Sequence, residues 1–355
     1  MMAETIAVQH ELLQKMISEL YEKAGMEKAD AEYHAQALVT ASLRGVDSHG
    51  VMRTEAYLTR ILNGAINLHP QMQCIQEEGT LRILDADGAS GYIAGRDGMS
   101  LAIQLAKENG VGMVLVRNSN HFGAAAFYAQ MAVDAGMIGF STTNVKPNVA
   151  APGAIGNVVG NNPFAIGIPT YNEFPFMLDM AISVVAGGKL KMAIAKGEKI
   201  PLGWASDKDG NPTDDPQRGF DGFLLPAGGF KGLGVAYAID LLCGVMSGGA
   251  FQNHIKNMFK DPTEPSKTCH MFLAVDAERL LNKEEIRIRM QEYHTYLRKI
   301  PTVSGTPLVF PGEIEEACAV ERRKNGIPLP KTVYHQLLQL GEQYNLTVQL
   351  KKISE

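Results

Sequence analysis

The chain is poor in the residues that would place it in several large functional classes. Its 355 residues include only four cysteines, Cys74, Cys243, Cys269 and Cys318, scattered without a CxxC pair. That argues against a disulfide framework or a cysteine zinc site and suits reduced thiols. The nine histidines are equally dispersed, with no HxH, HxxxH or HExxH pairing, so no protein-bound catalytic metal is expected. Basic residues are not in excess: 33 Lys and Arg stand against 38 Asp and Glu, a net charge of −5. Nucleic-acid binders usually carry a basic surface, so no nucleic-acid partner is expected. No apolar run reaches the ~18 residues of a membrane span. Residues 1–20 mix acids, Gln and His with apolar residues, unlike a signal peptide. The expectation is a cytoplasmic protein that engages no membrane. The GxGxxG fingerprint between a first strand and helix is also missing, which argues against an ordinary Rossmann unit.

What remains is an ordinary globular composition, 45% hydrophobic with 36 glycines. The length exceeds the roughly 250–300 residues at which one core stops growing, so two packed units are expected, one of them built from both chain ends. Apolar positions Ala35, Leu38, Val39 and Leu43 recur at helical spacing, and Gly45 is placed to stop that helix. Asp47-Ser48 is expected to cap a second helix over about 51–62. From about residue 81 strands and helices alternate: strands near 81–84, 112–116, 138–142, 164–168, 176–179 and 270–275, helices near 94–109, 124–135, 235–246 and 283–299. The Pro147–Pro163 stretch reads as an ordered functional loop. Two last helices, about 314–325 and 331–344, are expected to return to the N-terminal ones. The resulting expectation is an α/β fold, with 1–75 and 306–355 flanking a ligand-binding unit at 76–305.

Few residues here are suited to chemistry. His121 follows the 112–116 strand in Asn118-Ser119-Asn120-His121-Phe122-Gly123, and loops at strand ends are where α/β proteins place ligands. An imidazole exchanges protons near neutrality, although a histidine bonded within a turn reads the same way. Ser48 and His49 sit at the expected helix start, which favours an anion. Arg53, four residues beyond His49, and Arg44 before the loop can hold a carboxylate through a guanidinium fork. The plain reading of that segment is a capped helix with two solvated arginines. Gly228-Gly229-Phe230-Lys231-Gly232-Leu233-Gly234 leads into a helix and offers Lys231 to a phosphate, but without Walker spacing.

Seven segments in order resemble one family. They are RGVDSHGVMR (44–53), NSNHFGAAAFYAQMA (118–132), NNPFAIGIP (161–169), MLDMAIS (177–183), WASDKDGNPTDDP (204–216), GGFKGLG (228–234) and FPGE (310–313). Together they resemble the malate/L-lactate dehydrogenase-like family, which includes L-sulfolactate dehydrogenase, ureidoglycolate dehydrogenase and 2,3-diketogulonate reductase. The resemblance implies a non-Rossmann α/β nicotinamide-binding domain, a helical domain from both termini, a homodimer, and NAD(H) or NADP(H) without metal. It implies His121 as acid/base with His49 as rival donor, Ser48 beside them, and Arg53 and Arg44 at the substrate carboxylate. It places Asn144, Val145, Asp179, Met180, Ala181, Lys231, Gly312 and Glu313 at the cofactor. Ureidoglycolate-type members carry an acid where this chain has Lys146, which favours a second anionic group on the substrate. A malate/oxaloacetate pair is therefore expected ahead of lactate/pyruvate. A cyclic imine carboxylate, ureidoglycolate or diketogulonate substrate, or a silent cofactor-binding protein, are the alternatives.

Overall fold

In the computed structural model, which describes residues 4–303 and 305–353, strand β1 (Thr5–Val8) leads into helices α1 (His10–Lys23), α2 (Lys28–Leu43) and α3 (Thr54–Leu62). Residues 1–3 and 354–355 of the expected terminal unit, and residue 304, lie outside the described residues. The second helix stops as its sequence demands: Arg44 caps it and Gly45 adopts φ +78°, a conformation that a Cβ would strain. The third begins later than expected. Two single 3-10 turns, Asp47–His49 and Val51–Arg53, precede α3 and are separated by an extended Gly50. Asp47 is no cap, because Arg322 takes its carboxylate, and Ser42 Oγ takes the Val51 N–H. Ser48 and His49 therefore do not sit at an α-helix N-terminus, and the dipole argument for an anion there falls.

Then come β2 (Gln73–Glu78), β3 (Leu81–Asp85), α4 (Gly91–Asn109), β4 (Val111–Ser119), α5 (Ala126–Asp134) and β5 (Met137–Thr143). The 147–163 loop carries two short strands, β6 (Val149–Ala150) and β7 (Asn157–Val159), before β8 (Phe164–Ile168) and β9 (Phe176–Met180). Next are α6 (Gly187–Lys196), β10 (Ala205–Ser206), α7 (Pro216–Asp221), β11 (Phe223–Leu224) and α8 (Phe230–Asp240). A π-helical turn, Leu241–Val245, continues α8. The chain closes with β12 (Thr268–Asp276), α9 (Lys283–Lys299), α10 (Glu313–Asn325), β13 (Ile327–Pro330) and α11 (Lys331–Gln343).

The result is a mixed α/β architecture on a seven-stranded sheet ordered β2-β3-β4-β12-β5-β8-β9. Only β3 and β4 run parallel; the other neighbours are antiparallel. Strand β12 enters the middle of the sheet from far along the chain, pairing with both β4 and β5. Helix α4 lies tight on β4, since a Cβ at Gly112 would stand 2.3 Å from the Ala102 carbonyl oxygen. At the chain ends β1 pairs antiparallel with β13, α11 packs on α1, and α10 packs on α2. One buried apolar cluster runs from Val8 and Leu13 through Leu38 to Ala102, Val114 and Phe272. The terminal elements thus share a core with the central sheet. Among the described residues no helix is long and apolar enough to cross a membrane.

Candidate active site

The site starts at the end of β4. The strand extends to Ser119, Asn118 takes φ +54°, and its register against β12 shifts between Thr268 and His270. Asn120, fully buried, anchors the turn beyond the strand. Its amide donates to the Gly88 and Ala89 carbonyls, and its oxygen accepts from the Arg60 guanidinium and the Ser266 N–H. Gly91, opening α4, presses on the same backbone; a Cβ there would meet the Asn120 carbonyl oxygen at 2.2 Å. These contacts fix the backbone that carries His121.

The His121 ring lies with its Nδ1 2.6 Å from the Tyr57 hydroxyl, and the Gly123 N–H donates to the same nitrogen at 3.3 Å. Burial holds its pKa well below 6.5, and the neighbouring His49, Arg53, His270 and Arg60 push it the same way. His49 stacks against it with ring centroids 5.7 Å apart. The His49 Nδ1 stands 3.0 Å from Ser48 Oγ, and burial, assisted by Arg53, lowers its pKa to about 4. Both imidazoles are therefore neutral near pH 7. Arg53 donates its Nε to the Ser48 carbonyl at 2.5 Å, and its guanidinium carbon lies 4.6 Å from the centre of the Phe259 ring. Among the described residues no carboxylate pairs with it, which leaves the fork free for an incoming anion. The fold therefore brings Ser48, His49, Arg53 and His121 into one place.

The residues expected around them divide. A cavity of about 590 Å³ adjoins His49 and is walled by Arg44, Ser48, Asp179, Met180 and Ala181. Burial raises Asp179 to about 6, against the Ala126 N–H bond and the Arg44 charge that lower it. Arg44 is ion-paired with Glu316 at 3.1 Å and its charge also acts on Asp179, so it is already compensated, unlike Arg53. Lys231 is exposed in the first turn of α8, not in a loop, beyond the left-handed Gly228-Gly229 turn. The Ala227 N–H donates to the Ile182 carbonyl, which brings that turn next to Ala181. Gly312 packs on Met177, while Glu313 accepts from the Phe310 N–H and pairs with Arg298, away from the cavity wall. Asn144 spends its side chain on Asp240, the Ala250 carbonyl and the Cys269 N–H, and the Val145 N–H on Asn162. The Asn144 side chain has a structural task and no donor to spare. Lys146 lies 3.6 Å from Asp261.

Four residues of this neighbourhood escaped the sequence reading: Tyr57, Arg60, Asn120 and Phe259. Arg60 left a trace, since an arginine on the apolar stripe with Tyr57 and Ile61 is costly unless satisfied. The other three gave no local signal.

A half-buried imidazole pair beside a free guanidinium, opening on a cavity with the Asp179 carboxylate in its wall, suits a nicotinamide dinucleotide and a small acid. The sequence profile of malate/L-lactate dehydrogenases matches residues 8–338, and the class is that of a 2-hydroxy acid dehydrogenase using a nicotinamide cofactor. A malate dehydrogenase from Pyrococcus abyssi is 40% identical over 332 residues, covering 90% of this chain and 90% of that protein. The structure of sulfolactate dehydrogenase from Methanocaldococcus jannaschii matches with a TM-score of 0.91 at 35% identity, over 97% of this chain and 98% of that one. The NAD(+)-dependent ureidoglycolate dehydrogenase of Escherichia coli O157:H7 is 31% identical over 345 residues, covering 97% of this chain and 98% of that protein. The chain belongs to the malate/L-lactate dehydrogenase family.

Proposed function

We propose that the enzyme interconverts malate and oxaloacetate, with lactate and pyruvate as the poorer pair. The observation that carries this reading is the placing of two cations by one loop. Phe259 and Asp261, two residues apart, touch Arg53 and Lys146 respectively. A dicarboxylate would answer both charges, the second carboxylate replacing Asp261 at Lys146. A monocarboxylate would answer Arg53 alone. The malate dehydrogenase name of the Pyrococcus abyssi relative supports the same choice.

In this reading Arg53 holds the substrate carboxylate, with Ser48 and His49 beside it. His121 holds the proton exchanged with the substrate oxygen, and the stacked His49 is the rival for that task. The nicotinamide, when bound, supplies or accepts the hydride. Asp179, Met180 and Ala181, which wall the cavity, would line its site in this reading, with Lys231 and Gly312 as further contacts. The cofactor in this reading is NAD(H) or NADP(H). Because resting His121 is neutral, protonation needs the negative charge that the bound acid brings.

The domain division we propose joins residues 1–75 and 306–355 around 76–305, which the β1–β13 pairing supports. A homodimer is part of the proposal. Phe230, Val235, Leu241, Val245 and Met246 line α8 and its π-helical continuation with their side chains open to solvent, an apolar face that suits a second copy of this chain. The deciding experiment follows loss of reduced-nicotinamide absorbance with NADH and NADPH against oxaloacetate, pyruvate, sulfopyruvate, 2-oxoglutarate, diketogulonate and a cyclic imine acid. Oxaloacetate is expected to turn over fastest, and H121A to lose ~10²–10⁴-fold in turnover with cofactor affinity kept. Turnover confined to another acid would overturn the substrate, and an unimpaired H121A would overturn the role of His121.

A further inference from the structure

The hydroxyl of Tyr57 is buried on α3, 2.6 Å from His121 Nδ1 on one side and 3.4 Å from the Tyr92 hydroxyl on the other. Tyr92 comes from α4 and is also buried. His34 packs on both rings, at 4.8 Å from Tyr57 and 4.3 Å from Tyr92, and neither of its nitrogens finds a partner among the described residues. The two hydroxyls therefore lie in a buried aromatic cage, within hydrogen-bond reach of each other and, for Tyr57, of His121. Burial pushes Tyr57 up to about 12, so its oxygen keeps its hydrogen. Gly123 makes the arrangement possible: it adopts φ +78°, and a Cβ there would lie 2.3 Å from the Tyr92 hydroxyl.

Two hydrogen arrangements satisfy this geometry. In one, Tyr57 and the Gly123 N–H both donate to Nδ1, and the His121 hydrogen sits on Nε2. In the other, Nδ1–H donates to the Tyr57 oxygen, and Tyr57 donates onward to Tyr92. No heavy atom moves between them: the ring hydrogen changes from Nε2 to Nδ1 by exchange and the hydroxyl hydrogens turn. Proton exchange at Nε2 requires the second arrangement: a neutral ring accepts at Nε2 only if its own hydrogen is on Nδ1, and the imidazolium carries hydrogens on both. The backbone N–H of Gly123 favours the first, since it can only donate.

Resting on the acid/base role proposed for His121, we propose that Tyr57 is the positioning residue that makes Nε2 the proton-exchanging atom, by accepting Nδ1–H and passing its own hydroxyl hydrogen to Tyr92. Tyr57 touches neither substrate nor cofactor in this scheme. The proton given to the substrate oxygen leaves Nε2, and the one taken from the alcohol arrives there; Nδ1–H stays in place throughout. Without the Tyr57 oxygen, Nδ1–H has no acceptor and faces the Gly123 N–H instead.

The test is Y57F, which keeps the ring in its cage and removes only the hydroxyl. The charged and titratable groups facing His121 are His49 from the 47–49 turn, Arg53 and Arg60 flanking and within α3, and His270 from β12. All four stay in place in the variant. Turnover is expected to fall at least about tenfold in both directions, with KM for the reduced nicotinamide unchanged. The pH at which the oxidative rate is half-maximal is expected to move down, because the imidazolium has lost its acceptor. Nitrogen-15 NMR of labelled histidine is expected to show Nδ1 protonated in the wild type and unprotonated in Y57F. Y92F should reproduce a weaker form of the same changes. An unchanged tautomer in Y57F, turnover within twofold of wild type, or an equal loss of cofactor affinity would each overturn the proposal. The tautomer readout needs no turnover, so it stands apart from the H121A result that tests His121 itself.

Discussion

The guanidinium of Arg53 is held between two fixed points, the Ser48 carbonyl 2.5 Å from its Nε and the Phe259 ring 4.6 Å from its central carbon. One edge is anchored, one face is covered, and the remaining donors are left to an anion. Arg53→Lys is therefore expected to lower kcat/KM for the 2-oxo acid by about 10- to 100-fold, since a point charge replaces a planar fork whose charged hydrogen bonds are worth about 1.5–3 kcal/mol each. Phe259→Ala should raise KM only about threefold, the scale of one exposed cation–π contact. Steady-state kinetics at saturating cofactor distinguishes the two. An Arg53→Lys enzyme with wild-type kcat/KM would remove Arg53 from the substrate site.

The Lys146–Asp261 pair offers a control on substrate choice. Lys146→Ala is expected to reduce the oxaloacetate-to-pyruvate ratio of kcat/KM. Asp261→Asn should raise it, because the lysine is then no longer neutralised. The ratio is what must move. If both variants keep it, Lys146 points only at Asp261 and the dicarboxylate reading loses its support.

His34 makes stability depend on acid. It is fully buried, with no hydrogen-bond partner among the described residues, and burial lowers its pKa to about 3. In the unfolded chain it titrates near 6.5. Between those values the unfolded state binds more protons, so the contribution is complete above about pH 6.5 and is lost as pH falls toward 3. At pH 5 this one group costs about 2 kcal/mol. His34→Phe should flatten the decline of Tm between pH 7 and pH 5. His270, lowered likewise to about 3 by burial, will retain its own share. An identical Tm–pH slope in the variant would refute the assignment.

Arg60 joins three segments. Its guanidinium donates to Asn120, to Ser266 Oγ, and to the carbonyls of Asp261 and Glu264. Arg60→Leu would remove these donated bonds, leaving the Asn120 oxygen to the Ser266 N–H alone, at a cost of about 2–3 kcal/mol. Urea unfolding reads that loss. Turnover should fall as well, since Asn120 holds the backbone of His121. A loss below about 1 kcal/mol would mean that water replaces the guanidinium without difficulty.

Much of this site was legible because its residues sit in short segments with one strong requirement each. The 44–53 segment announces a break after a helix, and the 118–123 segment announces a strand end. Gly45 and Gly123 carry positive φ, as such punctuation demands. What was misread was misread for tertiary reasons. Asp47 has the composition of a cap, but Arg322 from α10 claims it. Glu313 and Asn144 look available for a cofactor, but Arg298 and Asp240, remote in sequence, occupy them. The short β1 and β13 give no periodic signal at four residues each and exist because they pair.

Local sequence alone determined the helices with apolar stripes, the strands bounded by glycine, and the proximity of Ser48, His49 and Arg53, because each depends on backbone preference within a few residues. Only the tertiary structure decided that β12 would separate β4 from β5, and that α3 would deliver Tyr57 and Arg60 to the loop of His121. The 257–261 segment likewise reached Arg53 and Lys146 only through the fold. The Tyr57–His121 and Arg60–Asp261 contacts join residues 64 and 201 positions apart, and no local preference encodes them. They arise from burying one continuous core and satisfying the polar groups enclosed with it.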